Sequence, residues 1–342
     1  MVVIESITVK LPVYCEELHL SSAYSESGVT SFCQTTGMQS VRGAYDKWTQ
    51  AGLYAGGSMV KNGETIADDN QRRQTMTTIL VTGGTGTLGR DVVAELKGTA
   101  HSVRLMSRQP APPGHDNRVQ WAQADLLTGA GLAEAVREVN VIVNCASSPA
   151  AQTYETDVTG TRRLLDAAKA AGVSNFLHVS IVGIDRINRP YYQYKLAAER
   201  VIAESGLPYS NLRVTQFHSY VDRLLRPLSE RPEPELLVPV EATFQPIDSR
   251  EAARALLQYA TPEGHGPLAD VGGPQVLDLG TLARTWLDAR GDHRPIVDSG
   301  IAANHTTLTP EQAEGFSHGY NTTANMYGAV TWEMWVMREG RE

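Results

Sequence analysis

The stretch TILVTGGTGTLGR, Thr78–Arg90, joins a run of β-forming residues to glycines three positions apart and then to the opening of a helix. The glycines, in the pattern GxxGxxG, are Gly83, Gly86 and Gly89. The first permits the turn out of the strand, the second lets backbone approach a pyrophosphate, and the third permits close packing of helix on sheet. A helix that begins near Thr87 offers free N–H groups and a positive dipole end to phosphates. The stretch therefore predicts a dinucleotide-binding turn.

The surroundings of this turn make it more specific than an isolated glycine motif. It follows an apolar strand, opens a helix and begins a longer series of strands and helices. The alternative is a structural loop that binds nothing. The residues predicted to meet the cofactor here are Gly83, Thr85, Gly86, Thr87, Leu88 and Gly89.

Outward from the turn, apolar strands alternate with amphipathic helices from Met76 to about Val214. TILVT, SVRLMS and NVIVNCA read as strands, and GRDVVAELK and TGTRRLLDAAKAAG as helices. Such alternation predicts an α/β fold with a doubly wound parallel sheet, the Rossmann arrangement. The irregular remainder predicts a smaller substrate lobe, mainly residues 215–250 and 272–342, over the carboxyl ends of the strands.

The chain ahead of this pattern has a different character. The polar, charged stretch Asn62–Met76 is typical of a linker, and before it only VVIESITVKL shows convincing strand alternation. We therefore divide the chain into residues 1–75, an N-terminal extension of unknown role, and residues 76–342, the dinucleotide-binding domain with its lobe. The extension is either a real, non-catalytic appendage or upstream sequence.

Composition excludes several functions. The 342 residues carry a net charge of -8 without clustered Lys or Arg, which argues against nucleic-acid or anionic-membrane binding. No apolar run approaches the roughly 20 residues of a membrane span. Cys15, Cys33 and Cys145 are too scattered for a disulfide framework or a metal site, which favours a reducing cytoplasm. A small-molecule substrate remains as the expected partner, and a monomer and a homo-oligomer both stay open.

Cofactor choice is expected at the end of the second strand, VRLMSRQP, where an acidic residue usually holds a ribose hydroxyl. Here Ser107 and Arg108 stand instead, and Arg108 suits a 2′-phosphate, so NADPH is favoured over NADH. A solvated surface arginine is the alternative. Asp125 and Leu126 follow the third strand and are placed at the adenine edge, although Asp125 suits a helix cap equally well.

The fourth strand is followed by Cys145, Ala146 and Ser147, where the backbone is expected to line the cofactor. We interpret Cys145 as a small buried filler rather than a nucleophile.

Together with the glycine turn, two later stretches carry a family resemblance. They are DVTGTRRLLDAAKAAGVSNFLHVSIVGID and YYQYKLAAERVIAESGLPYSNLRVTQF. With them the chain resembles the short-chain dehydrogenase/reductase superfamily, and more narrowly its atypical NmrA-like, NAD(P)H-binding branch. The resemblance runs from about Met76 to the C-terminus and leaves residues 1–75 unexplained.

This resemblance implies a catalytic pair in the superfamily's YxxxK pattern, here Tyr191 and Lys195, which lie one helical turn apart on one face. An ammonium group beside a phenol lowers the phenol's pKa from about 10 and can also hold ribose hydroxyls. Tyr191 is then the proton donor to a carbonyl oxygen as hydride arrives. The alternative is a chance match, since Pro190 is also what a plain helix start would show.

The resemblance also implies a third member, a hydroxyl that polarises the carbonyl. Ser180 is available at the end of the fifth strand, but Val182 stands where extended members tend to keep the hydroxyl. Asp157, where those members often carry Asn, is interpreted as structural or as part of a proton relay.

The substrate pocket is predicted from Gln216, Phe217 and His218, after the sixth strand. His218 suits proton transfer, and a packing role is an equal alternative. Tyr194 and Tyr220 are expected either to line an aromatic pocket or to pack in the core.

Three functions follow as hypotheses. The first is an NADPH-dependent reductase of a ketone, quinone or enone. The second is a redox-sensing protein that binds NADP(H) without hydride transfer, as the resemblance allows. The third is an isomerase or cyclase on the same scaffold.

Overall fold

Two units divide the chain, Met1–Arg73 and Gln74–Glu342. The computed structural model describes five strands in the first unit, then residues 77–148, 152–300 and 308–339. Those strands are β1 (Ile4–Lys10), β2 (Glu17–Ser25), β3 (Gly28–Gln34), β4 (Met59–Lys61) and β5 (Glu64–Ile66). They form an antiparallel sheet in the order β1-β2-β3 and a separate antiparallel β4-β5 pair. The strand expected in VVIESITVKL is β1. Apart from β5, the predicted linker Asn62–Met76 lies outside the described residues.

The second unit is built on a seven-stranded, wholly parallel sheet in the order β14-β11-β10-β9-β6-β7-β8. The strands are β6 (Thr78–Thr82), β7 (Ser102–Ser107), β8 (Val119–Gln123), β9 (Val141–Asn144), β10 (Asn175–Ile181), β11 (Tyr209–Val214) and β14 (Gly266–Pro267). The chain winds outward from β6 in both directions, so β6 and β9 are neighbours at the point where the winding reverses. Ligands bind at such a point in doubly wound sheets, and the predicted Rossmann arrangement is confirmed.

Helices cover both faces of this sheet. They are α1 (Thr87–Leu96), α2 (Leu132–Ala135), a π-helical segment (Tyr154–Gly160) that runs into α3 (Thr161–Ala170), α4 (Pro190–Glu204), α5 (His218–Ser229), α6 (Ser249–Leu257), α7 (Leu279–Asp288), α8 (Pro310–Ser317) and α9 (Trp332–Glu339).

Alternation along β6 shows why the sheet is buried on two sides. Ile79 and Val81 pack in one apolar cluster with α1 and α6, whereas Leu80 packs in a second cluster with α3 and α4. All three side chains are fully buried. A strand that is apolar on both faces fits only between two helical layers.

A third apolar cluster forms a lobe beyond the sheet, with α5, α7, α8 and α9 around it. Its small strands are β12 (Leu236–Val238), which pairs in parallel with β16 (Ile296–Asp298), and β13 (Thr243–Phe244), which pairs antiparallel with β15 (Leu277–Asp278). Residues 301–307 and 340–342 of the predicted lobe lie outside the described part of the chain.

Among the residues that the structure describes, every helix is too short or too polar to cross a bilayer.

Candidate functional site

The glycine turn has the geometry that a pyrophosphate cradle requires. Gly83 has φ +63°, and a Cβ there would lie 2.7 Å from the Ala146 nitrogen. Gly86 occupies the N-cap position of α1 without any side-chain cap, so protein side chains leave the first-turn N–H groups for another partner. Thr85 and Gly86 are exposed at the rim, while Leu88 and Gly89 are buried beneath it. A dinucleotide phosphate fits such an open, uncapped helix start.

The predicted cofactor-selecting residues stand at the end of β7. Ser107 Oγ accepts a hydrogen bond from the Gln109 backbone N–H (3.1 Å), which shapes the turn. The Arg108 side chain is exposed, and within the described residues no hydrogen bond or ion pair of its guanidinium is observed. Its carbonyl oxygen accepts from Gln123 Nε2 (3.2 Å). The charge of Arg108 is therefore available to a ligand.

Asp125 and Leu126 follow β8, and both serve the local turn. Asp125 Oδ1 accepts from the Leu127 N–H (2.9 Å) within this turn, and because Gly131 is the N-cap of α2, the helix-cap alternative for Asp125 is wrong. Leu126 is buried against the π-helical segment, where a Cβ on Gly160 would approach Leu126 Cβ to 2.8 Å. Contact of either residue with adenine stays a prediction.

Cys145 and Ala146 connect the end of β9 to the glycine turn. The Cys145 N–H donates to the Thr82 carbonyl oxygen (3.3 Å), and the Ala146 N–H donates to Thr82 Oγ1 (3.3 Å). Burial raises the pKa of the Cys145 thiol to about 12, so the thiol is protonated at neutral pH. A neutral thiol is a poor nucleophile, in keeping with the expected filler role.

This pKa predicts slow alkylation of Cys145. In the native protein at pH 8, iodoacetamide should leave Cys145 largely unmodified, because the reactive thiolate is scarce until the pH approaches 12. Peptide mass spectrometry after alkylation in buffer and in urea measures this. Equal labelling rates in the two solutions would contradict the assignment.

Tyr191 and Ser147 form the exposed end of a polar chain. Ser147 Oγ donates to Asp157 Oδ1 (2.7 Å), and Asp157 Oδ2 accepts the Ser148 N–H (3.0 Å). The Tyr191 hydroxyl lies 3.1 Å from Ser147 Oγ. Because the single hydroxyl hydrogen of Ser147 already goes to Asp157, Tyr191 donates to Ser147 in this arrangement.

Lys195 lies at the buried end of the chain. Its Nζ donates to the Val179 carbonyl oxygen (3.0 Å) and forms an ion pair with Asp157 Oδ1 (3.6 Å). The side chains of Lys195 and Asp157 are only 4% and 1% exposed. A buried ion pair of this kind requires further hydrogen bonds to offset its desolvation, and Ser147, Ser148 and Val179 supply them.

Asp157 owes its position to the π-helical segment Tyr154–Gly160. Such segments are rare and occur mainly at functional sites. The segment continues directly into α3, and α4 with Lys195 packs against it. The two interpretations of Asp157, structural and proton relay, both agree with its contacts.

Sequence reasoning missed a second group of polar side chains under the site. Thr82 Oγ1 lies 2.6 Å from Asn144 Oδ1, and Asn144 Nδ2 lies 3.1 Å from His178 Nδ1. His178 Nε2 in turn lies 3.4 Å from Lys195 Nζ. All four residues are almost completely buried. The available signal was a histidine in the apolar run FLHVSIV, since a strand buried on both faces has no solvent for an imidazole.

Ser180 is placed differently from the expected carbonyl-polarising hydroxyl. It is buried and lies against Glu199. Burial raises the pKa of Glu199, but the two hydrogen bonds from Arg213 outweigh it, so the net pKa is lowered. Among the described residues Ser180 makes no hydrogen bond with Tyr191 or Lys195.

The three predicted pocket residues are largely occupied with protein contacts. Gln216 Nε2 donates to the Asn321 carbonyl oxygen (3.1 Å), and its Oε1 accepts from the Gln245 N–H (3.3 Å). Phe217 is half-buried. The His218 ring stacks on Trp332 and Trp335 at 5.8 and 5.7 Å.

Burial lowers the pKa of His218 to about 4, so the imidazole is uncharged at neutral pH. Its surroundings favour the packing alternative over proton transfer.

The other two aromatic candidates also contact protein side chains. Tyr194 makes an edge contact with Tyr154 (5.6 Å), and the Tyr220 hydroxyl accepts from Gln312 Nε2 (3.5 Å).

Comparison with known proteins agrees with this geometry. Residues 83–223 match the family model for NAD(P)H-binding domains. The photosystem II assembly factor Ycf39 of Cyanophora paradoxa is 30% identical over 147 residues, 41% of this chain and 45% of that protein. The chain spans less than half the length of the first curated relatives.

Two further similarities cover more of the chain. A Streptomyces griseus (4-alkanoyl-5-oxo-2,5-dihydrofuran-3-yl)methyl phosphate reductase is 26% identical over 251 residues, 70% of this chain and 84% of that protein. An NADPH-dependent quinone oxidoreductase from Escherichia coli, solved with NADPH, superimposes with a TM-score of 0.62 over 76% of this chain and 99% of that one, at 20% identity. The latter similarity shows the fold alone.

The glycine cradle, the doubly wound sheet and the matched family model lead to one conclusion. Residues 83–223 match the NAD(P)H-binding family model, and the second unit has the Rossmann-like fold of NAD(P)-binding proteins.

Proposed function

We propose that this protein is an NADPH-dependent reductase that acts on the carbonyl group of a ketone, quinone or enone. The observation that carries the proposal is the hydroxyl pair of Tyr191 and Ser147, 3.1 Å apart and backed by the buried Lys195–Asp157 ion pair. The phenol of Tyr191 can give up a proton here, because Ser147 can then donate a hydrogen bond to the phenolate that remains. The reductase names of two similar proteins support the same class of reaction.

The cofactor, when bound in the glycine turn, supplies a hydride to the carbonyl carbon. Tyr191 turns its O–H from Ser147 to the carbonyl oxygen and transfers the proton as negative charge develops there. The phenolate that remains then accepts the hydroxyl hydrogen of Ser147, which rotates away from Asp157. Solvent reaches this exposed hydroxyl pair and restores the proton to Tyr191.

Asp157 and Lys195 keep the hydrogen bonds from Tyr191 to Ser147 and from Ser147 to Asp157 in the direction that the reaction requires. The carboxylate of Asp157 holds the Ser147 hydrogen in the resting state and so leaves a Ser147 lone pair for the Tyr191 O–H. The ammonium of Lys195 compensates the carboxylate charge in a region without solvent.

Preference for NADPH is the second part of the proposal, and Arg108 supports it. An exposed guanidinium without a protein partner, at the end of β7, can take a 2′-phosphate in a bidentate manner. This turn has no acidic residue that could hold the ribose hydroxyl of NADH.

Arg108→Ala is expected to raise the Kd for NADPH about ten- to a hundredfold, because a charge-assisted hydrogen bond pair is lost. The Kd for NADH should change little, because NADH lacks the phosphate. Fluorescence titration with both nucleotides measures the two effects, and Arg137→Ala, an exposed arginine paired with Glu134, is the control. Equal weakening of both nucleotides would contradict the assignment.

A non-catalytic dinucleotide-binding protein is the second candidate, favoured by the similarity to a protein named as an assembly factor. Purified protein with NADPH and a panel of quinones, ketones and enones separates the candidates through absorbance at the nicotinamide band. Consumption of NADPH with a matching amount of alcohol or hydroquinone is the expected result. NADPH binding without turnover of any compound would favour the second candidate, and substrate conversion without NADPH consumption would favour an isomerase or cyclase.

A further inference from the structure

We propose that His178 is a positioning residue for Lys195: its imidazole is neutral, carries its proton on Nδ1, and accepts an N–H of the Lys195 ammonium at Nε2. The inference deepens the proposed function, because it concerns the charge behind Tyr191. It rests on that function only for its kinetic consequence.

The first argument is the hydrogen-bond requirement of the ammonium group. An ammonium has three N–H donors and no acceptor. The Val179 carbonyl oxygen accepts one of them at 3.0 Å, and the Asp157 carboxylate, with Oδ1 at 3.6 Å, faces the ammonium as an ion pair. His178 Nε2, at 3.4 Å, is the third polar atom within reach in the described part of the chain. Lys195 is almost completely buried, so an ammonium N–H without a partner is costly.

The second argument is the conflict that the other tautomer creates. With its proton on Nε2, His178 would direct an N–H at the ammonium N–H groups, two donors facing each other in a site without solvent. A doubly protonated ring would add a second positive charge. Burial and the charge of Lys195 both lower the pKa of His178 well below its usual range, which keeps the ring neutral.

The third argument concerns Asn144, the other neighbour of the ring. A proton on Nδ1 requires an acceptor, so the Asn144 amide must turn its oxygen toward His178 and its NH₂ toward Thr82 Oγ1. This turn exchanges two atoms of nearly equal size without other movement. Thr82 Oγ1 then accepts from Asn144 and from the Ala146 N–H, and the Thr82 hydroxyl hydrogen gives up Asn144 Oδ1 as its acceptor. This arrangement costs one neutral donor its partner, whereas the other tautomer sets two donors, one of them charged, against each other.

The consequence is that Val179 and His178 accept two of the N–H groups of Lys195. The ammonium is held toward Asp157, and its effect on the reaction passes through Asp157 and Ser147 to Tyr191. His178 itself stays away from substrate and cofactor, and it fixes the direction of the ammonium.

Nitrogen-15 NMR of the whole protein tests the tautomer without any use of activity. The chain has nine histidines, so the His178 signals are assigned by their loss in His178→Gln. We expect the neutral Nδ1–H pattern at every pH from weakly acidic to weakly basic. An Nε2–H pattern, or a doubly protonated ring at neutral pH, would overturn the proposal whether or not the protein is a reductase.

Two variants test the positioning role. His178→Gln keeps an acceptor near the place of Nε2, whereas His178→Phe keeps a ring of similar size without one. We expect kcat to fall on the order of tenfold in His178→Phe, since a hydrogen bond to a charged group is lost, and only a few-fold in His178→Gln. KM and the Kd for NADPH should stay close to wild type in both. Equal losses in the two variants would show that the ring only packs, and if His178→Phe does not fold, the NMR result decides.

Discussion

Tyr191→Phe is expected to lower kcat about a hundredfold to ten-thousandfold, the range over which general acid catalysis contributes. The substitution removes one oxygen atom, the proton source of the proposed reaction, and leaves the ring that packs beside Tyr192 at 5.9 Å. Loss of the hydroxyl also frees one lone pair of the exposed Ser147, which solvent satisfies. The expected signature is a fall in kcat with little change in the Kd for NADPH.

Tyr259→Phe is the matched control for this substitution. Tyr259 makes an edge contact with His265 (5.5 Å) and packs against the apolar cluster of α1 and α6. Its variant should keep nearly full activity. Steady-state kinetics on a reducible quinone with both variants gives the comparison, and a Tyr191→Phe enzyme of wild-type kcat would exclude Tyr191 as the acid.

Gly83→Ala is expected to weaken NADPH binding on the order of a hundredfold, equivalent to about 2.8 kcal/mol. Two effects combine at this position. The φ of +63° disfavours any residue with a Cβ, and the added carbon would lie 2.7 Å from the Ala146 nitrogen and the Cys145 carbonyl group. Since that contact is with backbone, the turn and the end of β9 must move apart, and the phosphate cradle opens.

Gly172→Ala separates the two effects. Gly172 has a similar φ of +73°, but a Cβ there would have no neighbour within 4 Å. This variant should lose about 1–2 kcal/mol of unfolding free energy from its left-handed backbone while the Kd for NADPH stays unchanged. If Gly172→Ala weakened NADPH as much as Gly83→Ala does, general destabilisation and not the cradle would explain the effect.

Much of the sheet could be predicted because its determinants are local. The apolar run at β6 and the glycines after it encode a strand, a turn and a helix start within thirteen residues. Alternation of strands and helices then leaves few topologies for a parallel sheet. The short helix α2 covers only Leu132–Ala135 and begins directly after the left-handed Gly131.

The site was predictable only where a residue's position along the chain decides its role. Tyr191 and Lys195 share a helix, so their spacing was sufficient to place them on one face. The acceptors of Lys195 come from β10 and from the π-helical segment, and only tertiary packing brings them together. His178 and Asn144 belong to no sequence motif that would single them out. For the same reason Ser180 could be located on its strand but its contact with Glu199 could not be foreseen.

Calorimetric titration of the purified chain with NADPH tests the central claim most directly. The account predicts one nucleotide bound per chain with a Kd in the micromolar range, weaker binding of NADH, and binding of NADPH weakened on the order of a hundredfold in Gly83→Ala but not in Gly172→Ala. No binding of either nucleotide at millimolar concentration to the folded protein would contradict it.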